Sequence, residues 1–173
     1  PKGYYTQITY NDNAMLNVLL LIRKVYEKQE PYTFLPENMV EKARKSFDLG
    51  IECILKTQVH INGKLTVWCA QHDHVTLLPA KARAYELPSL SGQESDNLVL
   101  LLRSLPNPSE EIKNAIEGAV EWFKQAKIEG LTKEYYKRVK KEISDTNEAI
   151  KRGVMKGANV KRIPDFQASQ ENK

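Results

Sequence analysis

A stretch of 27 residues from Trp68 to Glu94 is the feature that most limits what this chain can fold into. It reads WCAQHDHVTLLPAKARAYELPSLSGQE, has no regular apolar period, and is interrupted by Pro79, Pro88 and Gly92. A loop this long is uncommon in a compact domain unless it binds something. Loops on a rigid scaffold are also where binding and catalytic groups concentrate. We therefore expect this segment to be the functional loop and the periodic segments around it to be its scaffold.

The composition fits one domain with a hydrophobic core. The chain has 173 residues, of which 41% are hydrophobic, and this length suits a single domain. No apolar run approaches the ~18 residues of a membrane span. The chain opens on PKGYY, which has neither a signal peptide nor a helix start. We interpret this opening as a cut within a larger protein, and we expect no membrane and no nucleic-acid partner.

The positive charge is concentrated near the carboxy-terminal end. Residues 131–173 contain 11 Lys and Arg against 6 Asp and Glu, a net charge of +5. The other residues contain 15 against 16, a net charge of −1, so the two parts sum to the total of +4. A basic helix can bind nucleic acid or a membrane surface, but a solvated helix face is the interpretation that we favour here.

Two apolar periodicities predict an antiparallel pair of helices. Residues 13–29 carry apolar side chains at i, i+3 and i+4 spacing, which is typical of one buried helix face, and Asn11 or Asp12 should be the N-cap. The loop EPYTFLPEN separates this helix from a second one at residues 37–57. The side chains expected to face inward are Met15, Val18, Leu19, Ile22, Val25 and Tyr26, then Val40, Ala43, Phe47, Ile51 and Ile54 or Leu55.

A β-hairpin and a helix are predicted on the two sides of the functional loop. In VHINGKLTVW, apolar residues alternate around Asn62 and Gly63, the favoured pair of a type I′ turn. Ser91 and Glu94 have the spacing of a capping box, so a helix should begin near Gly92. The residues that this helix should bury are Leu98, Leu101, Leu102 and Leu105.

The remaining segments predict further helices and a mainly α arrangement of helix pairs. Ser109 should cap a helix at residues 110–128, which Gly130 should end. Residues 132–151 can form a basic helix, and residues 157–173 are polar and expected to be disordered. The inward side chains of the 110–128 helix should be Ile112, Ile116, Ala119, Val120 and Phe123.

Several long segments of the chain closely resemble the pectate lyases of polysaccharide lyase family ten. They are GYYTQITYNDNAM, GIECILKTQV, INGKLTVWCAQHD, LPAKARAYELPSLSG and NPSEEIKNAIEGAVEWFKQAKIEG. The resemblance implies that residues 1–130 are the second half of the catalytic domain, and that residues 131–173 lie outside the match. The fold that it implies is mainly α, part of an α/α toroid-like helical domain with one short β-hairpin and long loops.

The resemblance also implies an activity, a cofactor and a location. Pectate lyases cleave polygalacturonate by β-elimination, in which a base removes the weakly acidic proton on C5 and the C4 oxygen leaves. Charge then develops on the neighbouring carboxylate, and Ca²⁺ is suited to stabilising it because it is a hard cation that prefers oxygen ligands. We therefore expect a calcium-dependent, monomeric enzyme that is secreted or periplasmic.

The catalytic arginine of the family corresponds to Arg83 in the ARAYE segment, which makes Arg83 the predicted base. Arginine has a pKa above ~12, so this role requires a transiently neutral guanidine, helped by a neighbouring cation such as calcium or Lys81. Pairing with Glu86, or clamping of a substrate carboxylate, are the alternative interpretations of Arg83. Lys81 is expected to bind substrate carboxylates or to support Arg83, and a solvated lysine is its alternative.

Asp12 is the one metal ligand that the resemblance assigns within this chain. It lies in NDNAM, where the family has NDDAM, at a position assigned to the calcium and substrate site. Asn13 stands in place of the second aspartate, so the charge of this site is incomplete by comparison. The alternative role of Asp12 is a helix N-cap, and both roles can coexist.

Four more side chains of the functional loop are candidate substrate-binding groups: His72, Asp73, Tyr85 and Trp68. The first two can line a sugar cleft or hold the loop by hydrogen bonds. A zinc site at His72-Asp73-His74 is a weak hypothesis, because no pair of cysteines has a useful spacing. The rings of Tyr85 and Trp68 can stack on sugars, with packing in the core as the alternative.

Two alternative functions and one pairing of cysteines stay open. The same cleft could hold polygalacturonate without cleaving it, and the basic helix could make the chain a helical interaction protein. In the predicted hairpin, Cys69 returns beside Lys56, so Cys53 can lie within the ~4.4–6.8 Å Cα separation that a disulfide needs. Two buried free thiols are the alternative, because cysteine is commonly buried unpaired.

Overall fold

The structure is a computed structural model that describes residues 3–129, 134, 137–138, 140–141 and 144–145. The chain divides into two compact units, Pro1–Lys127 and Ile128–Lys173. The first unit is mainly α, as predicted. Its helices are α1 (Ala14–Tyr26), α2 (Glu37–Thr57), α3 (Gly92–Arg103) and α4 (Glu110–Ala126). Within the described residues, the helices are too short or too polar to cross a membrane.

Four short strands form two antiparallel pairs in the first unit. They are β1 (Ile8–Thr9), β2 (His60–Ile61), β3 (Lys64–Leu65) and β4 (Gln71–His72). Strand β1 pairs with β4, and β2 pairs with β3. The described residues between 134 and 145 are helical. Gly130, the remainder of the predicted 132–151 helix and the predicted disordered tail lie outside the described residues.

Helices α1 and α2 form the predicted pair, and they approach each other closely. A Cβ atom added to Gly50 would lie 2.3 Å from Cδ2 of Leu19, so the absence of a side chain at this position permits the contact. The rings of Tyr26 and Phe47 meet edge to face, with centroids 5.2 Å apart. These contacts place the first layer of the core between the two helices.

The predicted inward face of α1 is wrong at Val18. Leu16 and Leu19 are the buried residues of α1, whereas Val18 is 54% exposed. A helix turns by about 100° per residue, so Val18 lies on the opposite side from Leu16. The apolar residues of AMLNVLLLIRKVY occupy most of the helix circumference, and periodicity therefore fits more than one face.

The predicted N-cap of α1 is also wrong. Asn13 is the N-cap, and both it and Asp12 have left-handed backbone conformations, with φ of 58° and 54°. Asparagine and aspartate tolerate this region better than most residues. Neither side chain caps the helix. Instead, the Asn13 Oδ1 accepts a hydrogen bond of 2.9 Å from the Asn97 side chain on α3.

The predicted hairpin is confirmed as far as Val59. His60 pairs with Leu65 and Ile61 with Lys64, around a turn in which Asn62 and Gly63 both have positive φ. Beyond it, the Thr66 N–H donates to the Val59 carbonyl (2.8 Å), but the Val59 N–H donates to the Val67 carbonyl (3.1 Å). Thr66 and Val67 therefore both oppose Val59, which is a β-bulge. Beyond it, the side chains no longer alternate regularly between the two faces of the hairpin.

The cysteines are not joined. Cys53 and Cys69 are free thiols, the first half-buried and the second buried. The alternative of two free thiols therefore describes this structure, and burial raises the pKa of both. A raised thiol pKa leaves less thiolate at neutral pH, so neither cysteine has the character of a nucleophile.

The predicted starts of α3 and α4 are confirmed. The Ser109 Oγ accepts a hydrogen bond of 3.3 Å from the Ile112 N–H, as an N-cap should. Ser91 precedes α3, but its hydroxyl donates to the Glu94 carboxylate and does not cap the backbone. In α3, the predicted Leu98, Leu101 and Leu102 are buried. In α4 the most buried residues are Ala115 and Ala119, and the predicted inward residue Val120 is exposed.

Helix α4 packs directly on the backbone of the hairpin, and this contact predicts the effect of a substitution at Gly118. A Cβ atom there would lie 2.5 Å from the Leu65 Cβ and 3.0 Å from the Leu65 carbonyl oxygen. We expect Gly118→Ala to lower the free energy of unfolding by about 1–3 kcal/mol, measured by urea denaturation, because the backbone of β3 must move.

Gly92→Ala is the matched control for this experiment. Gly92 also lies in a helix, but an added Cβ would meet no atom within 4 Å. We expect this variant to stay within about 0.5 kcal/mol of the wild type. Equal stability of the two variants would show that α4 does not press on the hairpin at this position.

Candidate active site

The functional loop begins at Trp68, which lies in the core. Trp68 is 0% exposed, and its indole Nε1–H donates a hydrogen bond of 2.7 Å to the Ile54 carbonyl on α2. Its main-chain N–H donates to the Ser95 Oγ (3.0 Å), and its carbonyl accepts from the Ser91 N–H (2.8 Å). The alternative interpretation of Trp68, packing in the core, is therefore correct, and its ring is not exposed for stacking on a sugar.

His72 holds the next turn of the loop by hydrogen bonds. Its Nε2 accepts from the Cys69 N–H (3.1 Å), so Nδ1 carries the proton and donates to the Leu77 carbonyl (3.0 Å). Burial lowers the pKa of His72, and a protonated ring could not accept the Cys69 N–H. Because His72 is 0% exposed, it does not line a sugar cleft, and the alternative of a structural hydrogen-bonding role is correct.

Tyr10 connects this histidine to the helical scaffold. Its ring packs edge to face with His72, with centroids 5.7 Å apart. Its hydroxyl is 2.6 Å from the Thr57 Oγ1 at the end of α2. Burial raises the pKa of Tyr10 far above its usual value, so the phenol stays neutral. The imidazole and the phenol together fix the loop to α2.

Asp73 closes a tight turn and is half-buried. Its Oδ1 accepts from the Val75 N–H (2.9 Å), the Thr76 N–H (2.7 Å) and the Thr76 hydroxyl (3.1 Å). The Thr76 N–H is the main reason that the pKa of Asp73 is lowered. Asp73 therefore shapes the loop through its Oδ1, which is the second of its two predicted roles.

Arg83 and Glu86 form a second closed turn. The Ala82 N–H donates to the Glu86 carbonyl and the Glu86 N–H to the Arg83 carbonyl, both at 3.1 Å. The Glu86 carboxylate accepts from the Arg83 main-chain N–H (3.2 Å) and from its Nε (2.9 Å). This bonding lowers the pKa of Glu86. Pairing with Glu86, one alternative for Arg83, is therefore present in this structure.

An open groove of about 220 Å³ runs along this turn. Tyr85 and Glu86 line it together with Asn11 from the NDNAM segment. Tyr85 is 99% exposed, so its ring is available to a ligand. The residues that line the groove are Asn11, Cys69, Ala70, Gln71, Ala80, Tyr85, Glu86, Leu87 and Ser89.

The groove brings two distant parts of the sequence together. The Tyr10 and Asn11 N–H groups both donate to the Ala70 carbonyl, at 2.8 and 3.0 Å. The Gln7 side chain donates to the carbonyl of Lys81 (3.1 Å), whose own side chain is exposed. Asp12 follows Asn11 and accepts a hydrogen bond of 2.7 Å from its side chain. Asn11, Tyr85 and Glu86 therefore line the same groove, whereas the predicted site residues Asp12, Lys81 and Arg83 are not among its lining residues.

Comparison with known proteins identifies the family of this chain. The sequence profile described as Pectic acid lyase matches residues 1–153. The chain belongs to the pectic acid lyase family. The match extends beyond residue 130, where the resemblance of single segments lapses, and includes part of the basic segment. No curated protein matches the chain significantly.

Two solved lyase structures from Cellvibrio cellulosa resemble this chain. One is a family 10 polysaccharide lyase, with a TM-score of 0.68 and 38% identity. The other is an aspartate-to-alanine mutant of a family 10 polysaccharide lyase in complex with trigalacturonic acid, with a TM-score of 0.67 and 38% identity. Each match covers 72% of this chain and 39% of the solved chain. The chain thus spans about two fifths of the length of these lyases.

The described residues of the chain offer no cluster of side chains for a calcium ion. Calcium takes about 6–8 oxygen ligands, and the described residues contain no group of three His, Cys, Asp or Glu side chains that could hold a metal. Asp12 offers one carboxylate, and one of its oxygens already accepts from Asn11. The zinc hypothesis for His72-Asp73-His74 is unsupported for the same reason.

The neutral imidazole of His72, near the start of the functional loop, predicts that the protein loses stability in acid. The unfolded chain binds a proton to His72 near pH ~6.5, whereas the folded chain binds it only at lower pH. The contribution of His72 to the free energy of unfolding is complete above pH ~6.5. It decreases as the pH falls below that value, by up to about 1.4 kcal/mol per pH unit. We expect His72→Gln to remove this part of the pH dependence, measured by urea denaturation between pH 7.5 and roughly 5.

His74→Gln is the control, since it removes an exposed imidazole from the same loop. Because His72 is fully buried, its substitution also lowers stability at every pH, so the comparison is between slopes and not between absolute values. If His72→Gln keeps the wild-type slope below pH ~6.5, the neutral histidine does not hold the loop.

Proposed function

We propose that this chain is the arginine-bearing part of a secreted or periplasmic pectate lyase that cleaves polygalacturonate by calcium-dependent β-elimination. The observation that carries the proposal is the hydrogen bond of Arg83 to Glu86, a residue that lines the open groove, in a chain of the pectic acid lyase family. We further propose that residues 1–130 supply this part, that the enzyme is a monomer, and that residues 131–173 are not needed for chemistry.

In the proposed reaction, the neutral guanidine of Arg83 takes the proton from C5 of a galacturonate residue. The electrons of the C5–H bond form a double bond between C4 and C5, the C4–O bond breaks, and the departing oxygen takes up a proton. The neutral base needs a positive charge nearby, since Glu86 stabilises the protonated guanidinium. Lys81, two residues before Arg83, is the cation of this chain that we propose for that role.

The substrate is a polymer of negatively charged sugars, and the exposed groups near the groove suit it. We propose that Lys81 binds a substrate carboxylate and that Tyr85 packs on a sugar ring, because an exposed aromatic face and a cation are typical partners for such a chain. Asp12 is the proposed calcium ligand, by resemblance alone. Its single carboxylate does not make a site, so no step of the reaction is assigned to the ion.

A polygalacturonate-binding module without catalysis is the second candidate function. It is favoured by the pairing of Arg83 with Glu86, which keeps the guanidinium protonated and suited to clamp a carboxylate. Asn13, in place of the second aspartate of the family motif, favours it as well. Appearance of the unsaturated product, followed by ultraviolet absorbance, distinguishes the lyase from the binding module.

Arg83→Ala should abolish elimination by the intact protein and leave its fold unchanged, because the side chain is exposed and contributes little to stability. Arg83→Lys should fail too, since an ammonium group cannot reproduce the planar guanidinium. Turnover is measured by absorbance of the unsaturated product, with circular dichroism as the test of folding. Arg103→Ala, on the exposed side of α3, is the control. Near-wild-type turnover in Arg83→Ala would exclude Arg83 as the base.

Turnover should also depend on calcium. We expect excess chelator to reduce the rate strongly and added Ca²⁺ to restore it, because the charge that develops on the substrate carboxylate requires a cation. Asp12→Ala should raise the calcium concentration needed for half-maximal rate, and Asp96→Ala on α3 serves as a control for loss of a carboxylate. Unchanged turnover in excess chelator would show that the metal is not required.

A further inference from the structure

We infer that Glu86, which lines the groove, is a positioning residue that fixes the orientation of the Arg83 guanidinium. The inference rests on the function proposed above and adds to it a residue that acts through Arg83. It assigns no contact between Glu86 and the reacting atoms. Its basis is the geometry of the turn, the exposure of the pair and the charge of the groove.

The turn is closed by contacts of Glu86 with Arg83 and with Ala82. Glu86 accepts from both the main-chain N–H and the side-chain Nε of Arg83, at 3.2 and 2.9 Å. Its own N–H donates to the Arg83 carbonyl (3.1 Å), and its carbonyl accepts from the Ala82 N–H (3.1 Å). One carboxylate therefore ties the guanidinium to the backbone that carries it, and the side chain cannot rotate without breaking this bond.

Stability does not account for this arrangement. The side chains of Arg83 and Glu86 are 63% and 45% exposed, and exposed ion pairs contribute little to folding. An exposed arginine samples many rotamers when nothing holds it. The Nε contact restricts that freedom at the one arginine to which we assign the chemistry. Orientation is thus the physical effect that this carboxylate has at this place.

The charge of Glu86 leads to the same conclusion. Glu86 lines the groove, where a carboxylate repels a polyanionic substrate and weakens its binding. It also stabilises the protonated guanidinium, which opposes its use as a base. Glu86 therefore has unfavourable effects both on substrate binding and on the basicity of Arg83. Holding Arg83 in place offsets them, because correct placement of a reacting group increases the rate by large factors.

The test separates the hydrogen-bond acceptor of Glu86 from its charge. Glu86→Gln keeps an oxygen that can accept from Nε, whereas Glu86→Ala has none. We expect Glu86→Ala to lower kcat by about tenfold or more, as misplacement of a reacting group does, while its KM for polygalacturonate falls. Glu86→Gln should keep kcat within about threefold of the wild type, with a similar fall in KM, because both variants remove the repelling charge.

The pH dependence gives a second readout of the same variants. With the carboxylate removed, the protonated guanidinium loses a stabilising negative charge, so the pH at which kcat reaches half of its maximum should be lower in Glu86→Gln than in the wild type. If Glu86 had a purely structural role, its substitution would not shift this pH profile. Nor would kcat fall in Glu86→Ala while it is kept in Glu86→Gln. Glu110→Gln and Glu110→Ala are the controls, since Glu110 forms an exposed pair with Lys113 at the same spacing of three residues (2.6 Å).

Nuclear magnetic resonance of the full chain tests the orientation without turnover. The Nε–H resonance of Arg83, assigned by its absence in Arg83→Ala, should be sharp in the wild type and in Glu86→Gln. It should broaden or vanish through solvent exchange in Glu86→Ala. Wild-type kcat in Glu86→Ala, or equal loss in the alanine and glutamine variants, overturns the inference. Retained turnover in Arg83→Ala instead overturns the proposed base, so the two failures are distinguishable.

Discussion

The hydrogen bonds of one buried, neutral imidazole hold the functional part of this protein in place. His72 bonds to the loop on both sides, at Cys69 and Leu77, and packs against Tyr10, which bonds to Thr57 at the end of α2. The β pairing of the loop is short, with a strand of two residues and two isolated bridges, Cys69 with Leu90 and His72 with Pro79. Side chains that bond to the backbone therefore provide what a longer β-ladder provides in other folds. These contacts hold the segment 69–71, which lines the groove.

The loop is rigid where it is buried and open where it faces the groove. Trp68 and His72 lie in the interior, and each of their ring N–H groups has a main-chain partner. Further along, Asp73 and then the pair of Arg83 and Glu86 close tight turns at the surface. This order matches a common division of labour, in which buried residues fix the base of a loop and exposed ones contact ligands.

Much of the fold could be predicted from local rules. The bounds of α2 followed from apolar periodicity, and the hairpin from Asn62-Gly63, because both signals are contained in neighbouring residues. The face of α1 could not be chosen, since its apolar residues fit more than one face. The bulge opposite Val59 could not be predicted from the apolar alternation, and it changes which residues face each other beyond that point.

The candidate site was less predictable than the fold. Arg83 was proposed by family resemblance, whereas no local pattern placed Asn11 and Gln71 at the same groove. Their proximity depends on the pairing of β1 with β4 across about 60 residues of sequence, and strands of two residues leave no periodic signal. His72 and Trp68 have side chains that serve equally well as ligand contacts or as satisfied core residues. Only the tertiary structure distinguishes these two roles.

The burial of Trp68 gives the protein an optical reporter at the base of its loop. The chain has two tryptophans, and the second, Trp122 on α4, is half-buried. A Trp122→Phe variant would leave one indole, enclosed by apolar side chains and bonded to the carbonyl of Ile54. Its fluorescence would shift to longer wavelength whenever water reached the ring. Opening of the loop can thereby be followed in time through the emission wavelength of Trp68.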